Sequence, residues 1–295
     1  MSSVPPKRTA WPAGSTSLRC TSAAGSGEYR AFTRKLRQAT GLDLGVYKSQ
    51  QLERRLRLFM GSRKAEGFVD YLRLLESDPD QLAALQGFVS VCVSEFFRSP
   101  ELFEYLREEA LPSLLQRRAT LRLWSAGCSF GAEAFSLALL LEELTPGQLH
   151  YILGSDVQEA AIERAHRAAD FTAEELRHVP ERLLQRFFLP NDVSSPGAGR
   201  QAVRFALDPD VRRRVTFRRH DLLSDPFEGD FDLIICRNVM IYLTDDAKAR
   251  LCQSLYHAMR PGGYLVTGSV EALDALSVAG FSRLAAGVYR KVVEG

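Results

Sequence analysis

The sequence predicts an α/β protein in which a doubly wound, mostly parallel sheet follows a small all-helical N-terminal domain. Three observations carry this expectation. The first is Leu121–Leu137, LRLWSAGCSFGAEAFSL. Leu121, Leu123 and Trp124 begin an apolar run that reads as a buried parallel strand. The small residues Ser125 to Gly131 form a turn, and Ala132 to Glu143 is rich in helix-favouring Ala, Leu and Glu. The second is His150–Gly154, a short apolar strand ending in Ser155-Asp156 and followed by a helical stretch from Val157 to Ala169. The third is the alternation of strand and helix patterns over the remainder of the chain, which is the signature of layered α/β folds.

Composition bounds what such a chain can be. At 295 residues it is long enough for a sizeable core and for two domains. A charged fraction of 25% and a net charge of +2 are ordinary for a water-soluble protein. No apolar run approaches the ~20 residues that span a bilayer, and the opening MSSVPPKRTAWPAGSTS lacks the apolar core of a secretory signal. Cys20, Cys92, Cys128, Cys236 and Cys252 are odd in number and include no CxxC pair. Neither a disulfide framework nor a zinc site is expected, and the cytoplasm is the expected compartment.

Taken in order, residues 1–26 are rich in Ser, Pro, Gly, Thr and Ala and read as a disordered tail. Residues 27–117 read as helical domain and linker. Glu28–Ala39 is helical and stops at Gly41. Val46–Met60 is a second helix, with Leu52, Leu56, Phe59 and Met60 as its apolar stripe and Lys48, Arg54, Arg55 and Arg57 expected on the opposite side. Such a basic face can steer an acidic partner, although most such faces are only solvated. No exposed aromatic residues are expected to interleave with the cations for base stacking, so nucleic acid is not expected. Phe68–Leu75 and Gln81–Val91 supply shorter helices. Ser94-Glu95-Phe96-Phe97-Arg98 then leads into a helix over 101–115, which Pro112 is expected to bend or end.

The sheet domain is expected over 118–295. Phe171–Phe188 reads as two short helices around Pro180, Leu189–Gly199 as a loop, and Gln201–Ala206 as an edge strand. Val215–Arg219 is a strand running into His220-Asp221. Phe231–Cys236 (FDLIIC) is a fully buried central strand, followed by Arg237-Asn238. Asp245–Met259 is a helix closed by Arg260-Pro261-Gly262-Gly263. Tyr264–Gly268 is a strand, and Phe281 with Val288–Val293 marks a final strand pair.

Ligands of open α/β sheets sit outside the carboxyl ends of the strands. Here those ends carry Gly127 to Glu133, Asp156, His220-Asp221 and Arg237-Asn238. Gly127 permits close backbone approach. Asp156 at a strand tip can accept from both hydroxyls of a ribose, or can cap the following helix; the residues alone leave these even. Glu133 is either favoured by its helix dipole or bound to a cationic ligand group. The loop is GxxxG rather than GxGxxG, which disfavours a dinucleotide and favours a ribose-bearing ligand without pyrophosphate, such as S-adenosylmethionine. Asp221 is placed to meet an adenine amino group, and Asn238 the ligand's amino-acid part.

CRNVMIY, followed by MRPGGYLVTGS, resembles the CheR-type chemotaxis methyltransferases. So do WSAGCSFGAEAFSLA, SEFFR and GLDLGVYKSQQLERRL, and the resemblance runs over residues 28–293. It implies a class I, Rossmann-like methyltransferase that uses S-adenosylmethionine to esterify glutamates on chemoreceptors, with no metal and as a monomer. It also implies a cofactor set of Cys92, Ser94, Arg98, Gly127, Glu133, Asp156, Asp221, Leu222, Arg237 and Asn238, with Arg98 and Tyr242 as catalytic residues. A small β-subdomain can occur in this family within 190–216. There are departures: Cys92 stands where the family has Asn, Ala132 replaces a Glu, Asp221 replaces an Asn, and Val270-Glu271 stands in a usual His-Ser-Glu run. They motivate a second reading, a weak or inactive cofactor-binding adaptor. A nucleic-acid methyltransferase would need Asp/Asn-Pro-Pro-aromatic where Arg237-Asn238-Val239 stands, and an NAD oxidoreductase would show a hydride-transfer pair that is not evident.

Overall fold

The structure, a computed structural model, describes residues 27–40, 42–63, 65–89, 94–191, 203–268, 271 and 273–292. The 1–26 tail, Cys92 and Val270 lie outside the described residues.

Four helices open the chain: α1 (Gly27–Thr40), α2 (Ser49–Ser62), α3 (Phe68–Ser77) and α4 (Pro79–Val89), with a 3-10 turn at Leu44–Val46 before α2. Tyr29, Phe32 and Leu36 recur at helical spacing on α1, and Leu52, Leu56 and Met60 on α2; with Tyr71, Leu75 and Leu85 they form a core of their own. The cations of α2 do not share one face. At roughly 100° per residue, Lys48 and Arg55 lie seven apart on one side, while Arg54 and Arg57 turn elsewhere. Arg55 lies 5.0 Å from the Phe88 ring centroid and donates to the Phe88 carbonyl at 3.1 Å. Arg57 lies over Phe68 and pairs with Glu53 at 3.0 Å and Glu28 at 3.5 Å. The expectation of a single basic face opposite the apolar stripe is corrected accordingly.

The linker 94–99 is pinned to the sheet domain. The Phe96 amide donates to the Glu175 carbonyl at 3.0 Å, the Phe97 amide donates to Ser136 Oγ at 2.9 Å, and both phenylalanines are buried. Phe97 and Ser99 take positive φ of 52° and 68°, which non-glycine residues adopt at a cost of order 1–3 kcal/mol each. Helices α5 (Pro100–Tyr105) and α6 (Leu111–Leu115) follow, joined by a π-helical stretch, Leu106–Ala110. Pro112 therefore neither ends the run nor simply bends it. The Leu111 amide reaches back to the Leu106 carbonyl, and this wider turn makes room for a ring that would otherwise crowd the preceding turn.

The remaining elements are β1 (Arg122–Ala126), α7 (Ala132–Leu144), β2 (Tyr151–Asp156), α8 (Glu159–Arg167), β3 (Phe171–Thr172), α9 (Glu181–Phe187), β4 (Phe188–Asn191), β5 (Arg204–Leu207), α10 (Pro209–Arg212), β6 (Val215–Arg219), β7 (Phe231–Cys236), α11 (Asp245–Ala258), β8 (Met259–Thr267), α12 (Leu273–Val278), β9 (Phe281–Ala285) and β10 (Val288–Lys291). Seven strands form one sheet in the order β6-β2-β1-β7-β8-β10-β9. β10 runs antiparallel to both its neighbours, and the other described pairings are parallel. Strand order reverses between β1 and β7, where the carboxyl ends open a crevice. Leu123, Leu233 and Ile235 face one buried layer and Trp124 and Ile234 the other, which is why these strands are apolar on both faces.

A second, three-stranded sheet has the order β3-β5-β4. The strand expected at an edge over 201–206 is instead the middle strand, Arg204–Leu207, and residues 192–202 lie outside the described residues. Phe171 and Phe188, expected within helices, begin the flanking strands. Their rings lie 5.0 and 5.2 Å from that of Phe96 in edge-on contacts. This tertiary packing onto the linker overrides the local helical pattern.

Candidate active site at the sheet switch point

An open cavity of about 1030 Å³ of empty volume lies at the crevice. Ser94 and Arg98 reach it from the linker, Gly127 and Glu133 from the β1–α7 turn, and Asp156 from the tip of β2. Asp221 and Leu222 reach it from beyond β6, and Arg237, Asn238 and Tyr242 from beyond β7. The structure thus brings together every expected cofactor and catalytic residue that is described.

The β1–α7 turn folds back on β2. The amides of Gly127 and Cys128 both donate to the Ser155 carbonyl, at 2.8 and 2.9 Å. Gly127 has φ +82° and a Cβ there would lie 2.7 Å from Val239, so both conformation and space demand glycine. The Ser129 amide donates to Asp156 Oδ2 at 2.9 Å, and the Gln158 amide donates to Oδ1 at 3.0 Å. The contact to the helix start does not exclude the ligand-holding reading of Asp156, because a carboxylate offers about four acceptor positions. Burial pushes the Asp156 carboxyl above its usual value, against the lowering effect of these amides.

Glu133 lies partly buried in the first turn of α7. It accepts from Ser125 Oγ at 2.7 Å and lies 3.6 Å from Arg237 Nη1. Burial raises its pKa, while Arg237, Ser125 and Arg98 oppose the rise. Arg237 also donates to the Arg98 carbonyl at 2.8 Å and to Ser99 Oγ at 2.7 Å. It thereby ties the strained linker to the tip of β7.

Asp221 closes a turn onto the Leu223 amide at 2.9 Å. Asn238 sits at φ +62°, and a 3-10 turn at Met240–Tyr242 presents Tyr242. Glu271, only 2% exposed, holds this segment. Its carboxylate accepts from the amides of Asn238 at 3.0 Å, Ile241 at 3.2 Å and Gly268 at 2.6 Å. A glutamine has one acceptor oxygen and would point an amino group at one of these donors. Glu271→Gln is expected to destabilise the chain by about 1–3 kcal/mol, the cost of unsatisfied buried N–H groups, read as a lowered denaturant midpoint. An unchanged midpoint would show that the loop is held by other contacts.

Sequence reasoning missed Tyr47, which lies just before α2 and lines the cavity. Burial and the carboxylates of Asp221, Asp156 and Asp43 push its phenol up to about 12, so it is neutral near pH 7. It also missed the alignment of buried polar atoms. Ser129 Oγ, His220 Nδ1 and Arg237 Nε are buried without a partner within the described protein, and all three residues line the cavity. Such orphans are rare in native proteins, and in a cavity wall they fit a ligand carrying its own polar groups. Beside the cavity, a smaller cleft of about 280 Å³ is lined by Lys48, Leu52, Arg55, Tyr47, Val89 and Tyr242. Arg54 is exposed outside it.

Comparison with known families matches residues 92–285 to the CheR methyltransferase SAM-binding domain and residues 27–89 to the CheR methyltransferase all-alpha domain. The chain belongs to the CheR methyltransferase family. It is similar to the chemotaxis protein methyltransferase of Listeria monocytogenes, with 34% identity over 248 residues, 83% of this chain and 90% of that protein. It is similar to chemotaxis protein methyltransferase 1 of Pseudomonas aeruginosa, with 30% identity over 266 residues, 86% of this chain and 93% of that protein. A 104.1 kDa protein of Rhodobacter capsulatus shares 37% identity over 235 residues, 77% of this chain and 23% of that protein. Membership makes S-adenosylmethionine the methyl donor and methyl transfer the reaction class. The residues fit that donor: a carboxylate at the β2 tip, a glycine floor and unpartnered buried polar atoms line a single cavity. Among the described residues, no cluster of His, Cys, Asp and Glu could hold a metal ion, and no helix is long and apolar enough to cross a membrane.

Proposed function

We propose that this chain methylates glutamate side chains on the cytoplasmic helices of a chemoreceptor, or of a similar acidic helical protein, giving glutamyl methyl esters. The observation that supports this most is the arrangement of Arg98 and Tyr242, which line the same cavity as Asp156 and Glu133. A cationic and a phenolic donor thus stand beside the groups suited to hold a methyl donor.

Asp156 would hold the ribose, and Asp221 with Leu222 the adenine. Ser94, Glu133, Arg237 and Asn238 would hold the amino-acid end, with Gly127 allowing close approach. S-adenosylmethionine supplies a methyl carbon activated by a sulfonium, and its transfer to a carboxylate oxygen leaves a thioether and releases no proton. A glutamate carboxylate, with pKa ~4.3, is already ionised at neutral pH, so the chain needs no general base. Its work is positioning. Arg98 orients the carboxylate through a charge-assisted bond and Tyr242 donates to the same oxygen, which leaves the second oxygen free to attack. We take the substrate to be protein rather than nucleic acid, because Arg237-Asn238-Val239 stands where a nucleic-acid methyltransferase carries Asp/Asn-Pro-Pro-aromatic.

Lys48 and Arg55, at the cleft beside Tyr242, and exposed Arg54 are suited to receive the acidic substrate. Arg57, paired with Glu53 and Glu28, is suited less. Kinetics of Arg98→Ala test the reading: turnover should fall steeply, while affinity for S-adenosylhomocysteine falls less. Reversing the charges of Lys48, Arg54 and Arg55 should raise the substrate KM in a salt-dependent way with kcat little changed. Equal losses of cofactor affinity and turnover in Arg98→Ala would remove Arg98 from substrate positioning.

A further inference from the structure

The helical domain reaches the cavity through Val89 at the end of α4 and through one short extended segment before α2. Between the 3-10 turn and α2, Val46 to Lys48 runs antiparallel to the segment after β7. The Thr244 amide donates to the Val46 carbonyl at 2.8 Å and the Lys48 amide to the Tyr242 carbonyl at 2.9 Å. Tyr47 and Leu243 form the bridge between these bonds. Side chains alternate along an extended segment. The Tyr47 ring packs against the sheet's second core alongside Leu222, Leu223 and Val239, as well as against the helical core. It lines the cavity on the side of Asp156 and Asp221, whose carboxylates both act on its phenol.

We propose that Tyr47 is a cofactor-recognising residue supplied by the helical domain, its ring closing the adenosine end of the cavity. Cofactor binding and docking of the helical domain onto the sheet then become one coupled equilibrium. The same tyrosine connects the two: it lines the cofactor space, and its backbone sits between two of the hydrogen bonds that join the domains, Gln158 Nε2 to the Gly87 carbonyl being another. A ligand that binds only the docked arrangement must stabilise it, and docking must in turn raise ligand affinity by the same factor. The phenol remains a neutral donor and acceptor beside two carboxylates, so closure adds no further negative charge there. The inference rests on the assignment of Asp156 and Asp221 to the adenosine end.

The test uses the full chain and S-adenosylhomocysteine. In the wild type, the ligand should slow hydrogen exchange of the Lys48 and Thr244 amides, the two donors of the bridge. Tyr47→Ala, folded by circular dichroism, should bind about tenfold more weakly or worse, as truncation of a packed aromatic anchor predicts, and should lose this protection. Tyr47→Phe keeps the ring and should bind within about threefold of wild type, a hydroxyl contributing only a modest hydrogen bond. Unchanged exchange at Lys48 and Thr244 in the wild type would overturn the proposal, even where Tyr47→Ala failed to fold. So would a folded Tyr47→Ala with wild-type affinity. Asp156→Ala separates the two levels of the argument. If it binds like wild type, the adenosine assignment and the Tyr47 proposal both fall. If it alone loses affinity, only the Tyr47 proposal falls. None of these outcomes depends on which protein receives the methyl group.

Discussion

Arg237→Met is expected to destabilise the chain by about 3 kcal/mol and to weaken cofactor binding on the order of a hundredfold. The substitution keeps much of the side-chain volume but removes the cation 3.6 Å from Glu133, leaving a partly buried carboxylate with the weaker influence of Arg98 as its counter-charge. Breaking a buried pair on one side costs roughly 3–5 kcal/mol, and the separation and the partial exposure of both partners here argue for the lower end. The same change releases the Arg98 carbonyl and the Ser99 hydroxyl, so the linker loses the bond that holds its positive-φ residues against β7. Ser94 and Arg98 would then no longer be fixed at the cavity wall. Chemical denaturation reads the first effect and calorimetry with S-adenosylhomocysteine the second. A denaturant midpoint and affinity both near wild type would mean that the Phe96 and Phe97 contacts alone hold the linker.

Asp156→Ala should weaken cofactor binding by roughly 1.5–3 kcal/mol, the range for hydrogen bonds to a charged group, and Asp156→Glu by less. A pH dependence accompanies this. Burial holds the Asp156 pKa above the usual aspartate value, so the folded state binds its proton more tightly than the unfolded chain does. Ionised Asp156 therefore costs folding stability at neutral pH, and that cost is relieved as pH falls through the raised folded value. Cofactor affinity moves the other way in the same window, because the protonated acid loses its charge and one acceptor. Titrations of the wild type should show affinity falling at a pH above that of an ordinary aspartate, and Asp156→Ala should lack this step. A wild-type affinity that stays flat until the ordinary aspartate range would contradict the buried environment of this carboxylate.

Much of the sheet was legible because its signals are local. A strand such as FDLIIC is apolar on both faces in any setting, and a run from Trp124 through Gly131 has few foldings besides strand, turn and helix. The residues at strand tips follow from the same order, since the carboxyl ends of parallel strands share one side. What was not legible depends on distant partners. Phe171 and Phe188 are drawn into strands by Phe96, far away in the chain. Tyr47 reaches the cavity only because Val46 and Lys48 pair with the chain after β7. Glu271 stands next to Val270, and its sequence neighbours do not reveal that three amides converge on it. The division of the α2 cations was available from helical geometry alone: residues seven apart share a face, and Arg57 is not seven from Lys48.

The most direct test of the proposed function is the chemistry of the product. The chain, methyl-labelled S-adenosylmethionine and a chemoreceptor cytoplasmic fragment should yield label on the fragment that mild alkali releases as methanol. Tandem mass spectrometry should place the added methyl on glutamate side chains, and Arg98→Ala should abolish most of it. Label that resists alkali, label on lysine or nucleic acid, or no transfer by a chain that binds S-adenosylhomocysteine would contradict the account.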